Sequence, residues 1–99
     1  MIHTFFLVDK SDSGALRQRI RPEHKAYLAA VANRIAFAGP LVTDDGQTML
    51  GSLLAIDFES RDSAHAWLAD EPFTRAGLYA STCVHAFVNL WPQKTGFPA

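Results

Sequence analysis

The sequence predicts a single α+β domain with the strand and helix order β-α-β-β-α-β, the ferredoxin-like split βαβ arrangement. Three observations predict it. Runs rich in aromatic and β-branched residues alternate with two stretches of helical spacing. A strong hairpin turn, Asp44-Asp45-Gly46, separates the two middle strands. Residues Leu53, Leu54, Ala55 and Ile56 are apolar without a break, as in a sheet covered on both faces. At 99 residues the chain has single-domain size, and residues 1–99 are read as one unit.

The elements follow in order. Ile2 to Val8 suits a first strand, and Asp9 to Gly14 is turn material. From Ala15 to Ala36 apolar residues recur at helical spacing: Leu16, Ile20, Tyr27, Leu28, Val31 and Ile35. Pro22 interrupts that stretch. The expectation is a short lead-in over Ala15–Ile20, then a main helix from near Pro22 to about Ala36. Gly39-Pro40 then closes the helix and opens a short strand, Pro40 to Thr43. A third strand runs from Thr48 to Phe58, and Gly51 inside it marks a bulge or a close approach. Ser60 is an N-cap for a second helix, Arg61 to about Ala69, ended by Asp70-Glu71-Pro72. Phe73 to Gly77 reads as one further turn, and the last strand as Leu78 to Leu90. The Pro/Gly-rich tail from Trp91 to Ala99 is expected to be irregular.

Composition excludes several function classes. The net charge is −1, and the one basic cluster is Arg17, Arg21, Lys25 and Arg34, so no nucleic-acid partner is expected. No apolar run nears the about 20 residues of a membrane helix. No positively charged segment followed by a long apolar run opens the sequence. The expected location is therefore cytoplasmic. One cysteine, Cys83, excludes an internal disulfide and reads as a small core residue. Only two helices are available to cover the sheet, and a second copy would cover its other face. A homodimer or higher homo-oligomer is expected.

Chemistry centres on His24. It occupies an apolar slot in the first helical stripe, four residues from both Ile20 and Leu28. A histidine facing a sheet can transfer protons near neutral pH; the alternative is a neutral histidine satisfied by a backbone carbonyl. Asp70 and Glu71, where the second helix ends, are candidate carboxylate partners, or solvated charges at a helix end. Arg17 and Arg21 are candidates for holding an anionic group near His24; the alternative is surface solubility, which weighs more for Arg17 than for Arg21. His3, His24, His65 and His85 lack metal-ligand spacing, and no phosphate-binding loop is present, so neither metal nor cofactor is expected.

Four segments carry a resemblance. Arg21-Pro22-Glu23-His24-Lys25-Ala26-Tyr27-Leu28 comes first, then Ala38-Gly39-Pro40-Leu41, Gly51-Ser52-Leu53, and Glu71-Pro72-Phe73-Thr74-Arg75-Ala76-Gly77-Leu78. In that order they resemble the YciI-like (YCII-related) family of the dimeric α+β barrel group, over Ile2 to about Phe87. The resemblance implies a ferredoxin-like domain, usually dimeric, with a proposed histidine and aspartate active site. The family's Arg-Pro-x-His histidine matches His24. Its Asp-Pro-Tyr/Phe motif falls on Glu71-Pro72-Phe73, with Asp70 one residue earlier, so either carboxylate stands as the partner. Relatives in the wider group include muconolactone isomerases and cofactor-free oxygenases.

The expected protein is thus a cofactor-independent enzyme of isomerase or lyase type acting on a small molecule. His24 would move the proton, Glu71 or Asp70 would orient it, and Arg21, Tyr27 and Ser52 are the candidate binding residues. The alternative is a non-catalytic dimeric module that binds a ligand or a protein. In that case His24 would be packed with no adjoining cavity.

Overall fold

The computed structural model describes residues 1–97; the last two residues of the expected irregular tail, Pro98 and Ala99, lie outside the described residues. The elements are β1 (Ile2–Asp9), α1 (Gly14–Ala29), a 3-10 turn (Ala32–Arg34), β2 (Ile35–Val42), β3 (Met49–Asp57), α2 (Arg61–Ala69), a single-turn α3 (Pro72–Arg75) and β4 (Tyr79–Ala86). The four strands form one sheet in the order β2-β3-β1-β4, and every neighbouring pair is antiparallel. This is the ferredoxin-like α+β fold.

Side-chain alternation sorts the sheet into two faces. Phe5, Leu54 and Val84 stand side by side across β1, β3 and β4 and are buried under the helices. Ile56, Phe58, Ala64 and Leu68 extend that core. The Trp67 ring lies 5.4 Å from Phe5 and 5.7 Å from Phe58, and Tyr27 closes the cluster at 5.0 Å from Trp67. The neighbouring row Leu53, Phe6 and Cys83 points to the other face. Cys83 is therefore exposed and not the core residue expected, because Val84 beside it takes the inward position.

The first helix corrects the sequence expectation in two ways. It is continuous from Gly14, with Pro22 inside it. Pro22 cannot donate to the Gln18 carbonyl, but both residues are exposed, on the side of the helix where the freed group costs least. The helix also ends at Ala29, well before Ala36, and β2 starts at Ile35. Ile35 and Phe37 are more buried than Ala36 and Ala38, a period of two that a helical stripe ending at Ile35 conceals. Pro40 is tolerated because β2 is an edge strand. The last strand likewise stops at Ala86, short of Leu90.

The turn Asp44-Asp45-Gly46 joins β2 to β3 with Gly46 at φ 75°. The Asp45 carboxylate accepts from the Thr43 hydroxyl at 2.6 Å and from the Gln47 amide at 3.0 Å. The Thr43 bond does most to hold the Asp45 carboxyl below its ordinary range, with the Gln47 amide second. Ser60 caps α2 through a reciprocal box with Ser63.

Gly51 answers to close approach. A Cβ there would sit 2.1 Å from the Leu7 carbonyl oxygen of β1. Gly51→Ala is expected to cost about 2–3 kcal/mol, because backbone and not a flexible side chain must move. A melting curve would show this as a fall of roughly 10 °C or more. An unchanged melting temperature would mean that the strands separate freely at this point.

Candidate active site

Two helices and the helix-facing side of β3 meet where α1 passes α3. Pro72 sets this place from the sequence upward. The residue before a proline is held extended, and Glu71 has φ −66° and ψ 134°. That conformation makes Glu71 the N-cap of α3, with Pro72 in the first helical position. The Glu71 carboxylate turns inward and is 0% exposed. Its Oε1 accepts from the Phe73 amide at 3.1 Å, and its Oε2 accepts from the Tyr79 hydroxyl at 2.9 Å.

The remaining donor on Glu71 is His24. Its Nδ1 hydrogen-bonds to Glu71 Oε1 across 47 residues of sequence. With the carboxylate already accepting twice, Nδ1 carries the hydrogen and Nε2 the lone pair. Nε2 makes no hydrogen bond among the described residues. The imidazole stacks on Phe73 at 4.1 Å and 18°. Burial, then the Glu71 charge and the hydrogen bond to it, raise the Tyr79 phenol far above its ordinary value. It therefore stays a neutral donor to Glu71 through the neutral range.

Asp70 is the exposed C-cap of α2, and His24 meets Glu71 instead. Tyr27 is half-buried and donates to the Trp67 carbonyl at 2.8 Å. Burial first, then the charges of Asp70 and Glu71, raise its phenol too.

For Arg17 the weight given to surface solubility is corrected. The residue is 3% exposed. Its Nε donates to Asp9 Oδ2 at 2.6 Å, and its Nη2 donates to Asp9 Oδ1 at 3.4 Å and Ser52 Oγ at 2.9 Å. Its guanidinium also lies 4.7 Å from the centroid of the Phe73 ring. The buried residues of α1 are thus Arg17 and His24, while Leu16 and Ile20 are only half-buried. The signal available in the sequence was the spacing 17, 21, 24 and 28. A charged residue defaults to solvent, and that default hid it.

A cleft of about 140 Å³ opens beside His24, between α1 and the strands β2 and β3. Arg17, Arg21, Lys25, Pro40, Ser52 and Leu54 contribute to its walls along with His24. Arg21, half-buried, also borders an adjoining open groove of about 640 Å³ that reaches Gln47 and Met49. The cleft is therefore cationic, with one of its charges, Arg17, balanced by Asp9. His24, Glu71, Arg21 and Ser52 are brought together, whereas Asp70 and Tyr27 stand outside the cleft wall.

Fold and site together define a ferredoxin-like α+β domain with a buried histidine–carboxylate pair at the edge of a small cationic cleft. The chain belongs to the YCII-related family: the model of the YCII-related domain matches residues 1–88. Protein YciI of Escherichia coli O6:H1 is 32% identical over 98 residues, covering 92% of this chain and 100% of that protein. An uncharacterized protein of Haemophilus influenzae is 30% identical over the same coverage. Among solved structures, a 5-chloro-2-hydroxyhydroquinone dehydrochlorinase of Burkholderia phenoliruptrix, in complex with 2,5-dihydroxybenzoquinone, superposes with a TM-score of 0.84. It is 32% identical, and the match covers 89% of this chain and 94% of that one.

Proposed function

We propose that this protein is a cofactor-independent enzyme of lyase or isomerase type. Its substrate would be a small, single-ring hydroxylated or quinoid compound, and His24 would be the proton-transfer group. One observation carries the reading: His24 is pinned through Nδ1 to the buried Glu71 while its ring borders a cleft. A pinned imidazole with a free Nε2 lone pair is the arrangement of a general base. The cleft, about 140 Å³, is close to the roughly 150 Å³ that accommodates one benzene ring in an engineered protein cavity. The protein of similar structure is a dehydrochlorinase named for 5-chloro-2-hydroxyhydroquinone, a single-ring compound. The adjoining cleft also favours this reading over a non-catalytic binding module.

In the chemistry proposed, Nε2 takes a proton from the ring substrate. The resulting imidazolium is stabilised by Glu71, whose carboxylate is held in turn by Tyr79 and the Phe73 amide. Chloride release from 5-chloro-2-hydroxyhydroquinone by the purified protein tests the reading. Release above the uncatalysed rate that disappears in His24→Ala supports it. Equal rates for the wild type and His24→Ala would sink it.

On the same reading the working unit is a homodimer formed through the outer face of the sheet. Phe6, 49% exposed in the centre of that face, is the residue to test. Phe6→Glu is expected to convert a dimeric mass to a monomeric one in light scattering. A dimer that survives the change would place the interface elsewhere.

A further inference from the structure

The cleft beside His24 holds two hydrogen-bond donors that the fold leaves without a good acceptor. Ser52 is 2% exposed and faces α1 from β3. Its Oγ accepts from Arg17 Nη2 at 2.9 Å, and its own hydroxyl hydrogen meets no acceptor among the described residues. Among the described residues Arg17 Nη1 reaches only the Met49 sulfur, at 3.8 Å, and a thioether is a weak acceptor. Both side chains border the cleft that His24 borders. A buried donor without an acceptor costs free energy unless water or a ligand oxygen fills the place.

The pair is also held rigidly. Asp9, its side chain 5% exposed, grips Arg17 through both oxygens. Arg17 in turn orients the Ser52 oxygen and lies against Phe73, the ring on which His24 stacks. Two preorganised donors, one beside a buried cation, suit an oxygen that gains negative charge. Arg21 and Lys25 on the same wall add attraction for an anionic ring.

We propose that the Ser52 hydroxyl and the Arg17 guanidinium form an oxyanion subsite. It receives a carbonyl oxygen of the conjugated ring on which His24 works. This rests on the proton-transfer reading above and adds where the negative charge goes. In the keto form of the ring, His24 Nε2 bonds the proton as the C–H bond at a saturated ring carbon breaks, and the C–H electron pair moves through the conjugated system onto the carbonyl oxygen, giving an enolate. The oxyanion then collapses. Either the imidazolium returns its proton to another ring carbon, or chloride departs with the C–Cl electron pair. Both outcomes balance without an oxidant or a reductant.

The test uses 2,5-dihydroxybenzoquinone, a planar ring with acidic hydroxyls, as the probe in calorimetric titration. Ser52→Ala is expected to bind it about tenfold more weakly than the wild type. With a turned-over substrate, the same variant is expected to lose on the order of a hundredfold in kcat with far less change in KM. Arg17→Lys, which keeps a cation opposite Asp9, serves as a second variant and is expected to weaken the probe by a similar factor. Binding within twofold of the wild type in both variants overturns the subsite, and so does failure of the wild type to bind the quinone at all. Neither result touches the His24 reading, which is judged on chloride release alone. Conversely, weakened probe binding in Ser52→Ala with full turnover in His24→Ala would keep the oxygen subsite and remove the base.

Discussion

His24→Ala is expected to lower turnover roughly 10²–10⁴-fold, the range that a positioned acid–base group supplies. The loss should fall on kcat, because the cationic walls that attract an anionic ring remain in place. His24→Asn is the sharper variant. Its amide can still donate to Glu71, so the buried carboxylate keeps its third hydrogen bond, but no nitrogen lone pair of suitable basicity remains. Both variants should therefore be equally slow while differing in stability. Equal stability with unequal turnover would reverse the roles of packing and proton transfer at this position.

Glu71→Ala is expected to destabilise the fold by about 3–5 kcal/mol, because each buried donor left without an acceptor costs about 1–3 kcal/mol. The change strands the Phe73 amide and the Tyr79 hydroxyl along with His24 Nδ1. It also removes the N-cap of α3, which adds about 1 kcal/mol. Small domains are stable by about 5–15 kcal/mol, so this is a large share. A urea titration would show a lower midpoint with an unchanged slope. Glu71→Gln keeps the volume and one acceptor oxygen, and is expected to fold well but to lose turnover, since a neutral amide cannot balance the imidazolium. A Glu71→Ala midpoint equal to the wild type would mean that water replaces the carboxylate without cost.

Much of the architecture was legible because local chemistry and tertiary demand agree. Ser60 with Ser63 marks the start of α2, and Asp44-Asp45-Gly46 marks the hairpin, through short-range bonds that need no partner from elsewhere. The boundary between α1 and β2 was not legible, because Ile35 serves both a helical and a strand period. Pro22 misled in the same place: its cost depends on whether the Gln18 carbonyl faces water, which only the packed helix decides.

The candidate site was legible by halves. His24 stood out as a polar residue in an apolar slot, and Pro72 singled out the acidic pair before it. The choice of Glu71 over Asp70 follows from the N-cap geometry that Pro72 imposes, together with the reach of one more methylene group. The burial of Arg17 was not legible because it depends on Asp9 and Ser52, which come from two different strands.

The bond between His24 and Glu71 spans the joint between the two halves of the chain: α1 belongs to the first β-α-β half and α3 to the second. A ligand in the cleft would thus act as a rivet across that joint. Its occupancy should slow exchange of amide hydrogens in both halves at once, the Phe73 amide among them. On the proposed reading, catalytic competence and the docking of the halves would then be one event, since His24 would have its carboxylate partner only when both halves are folded.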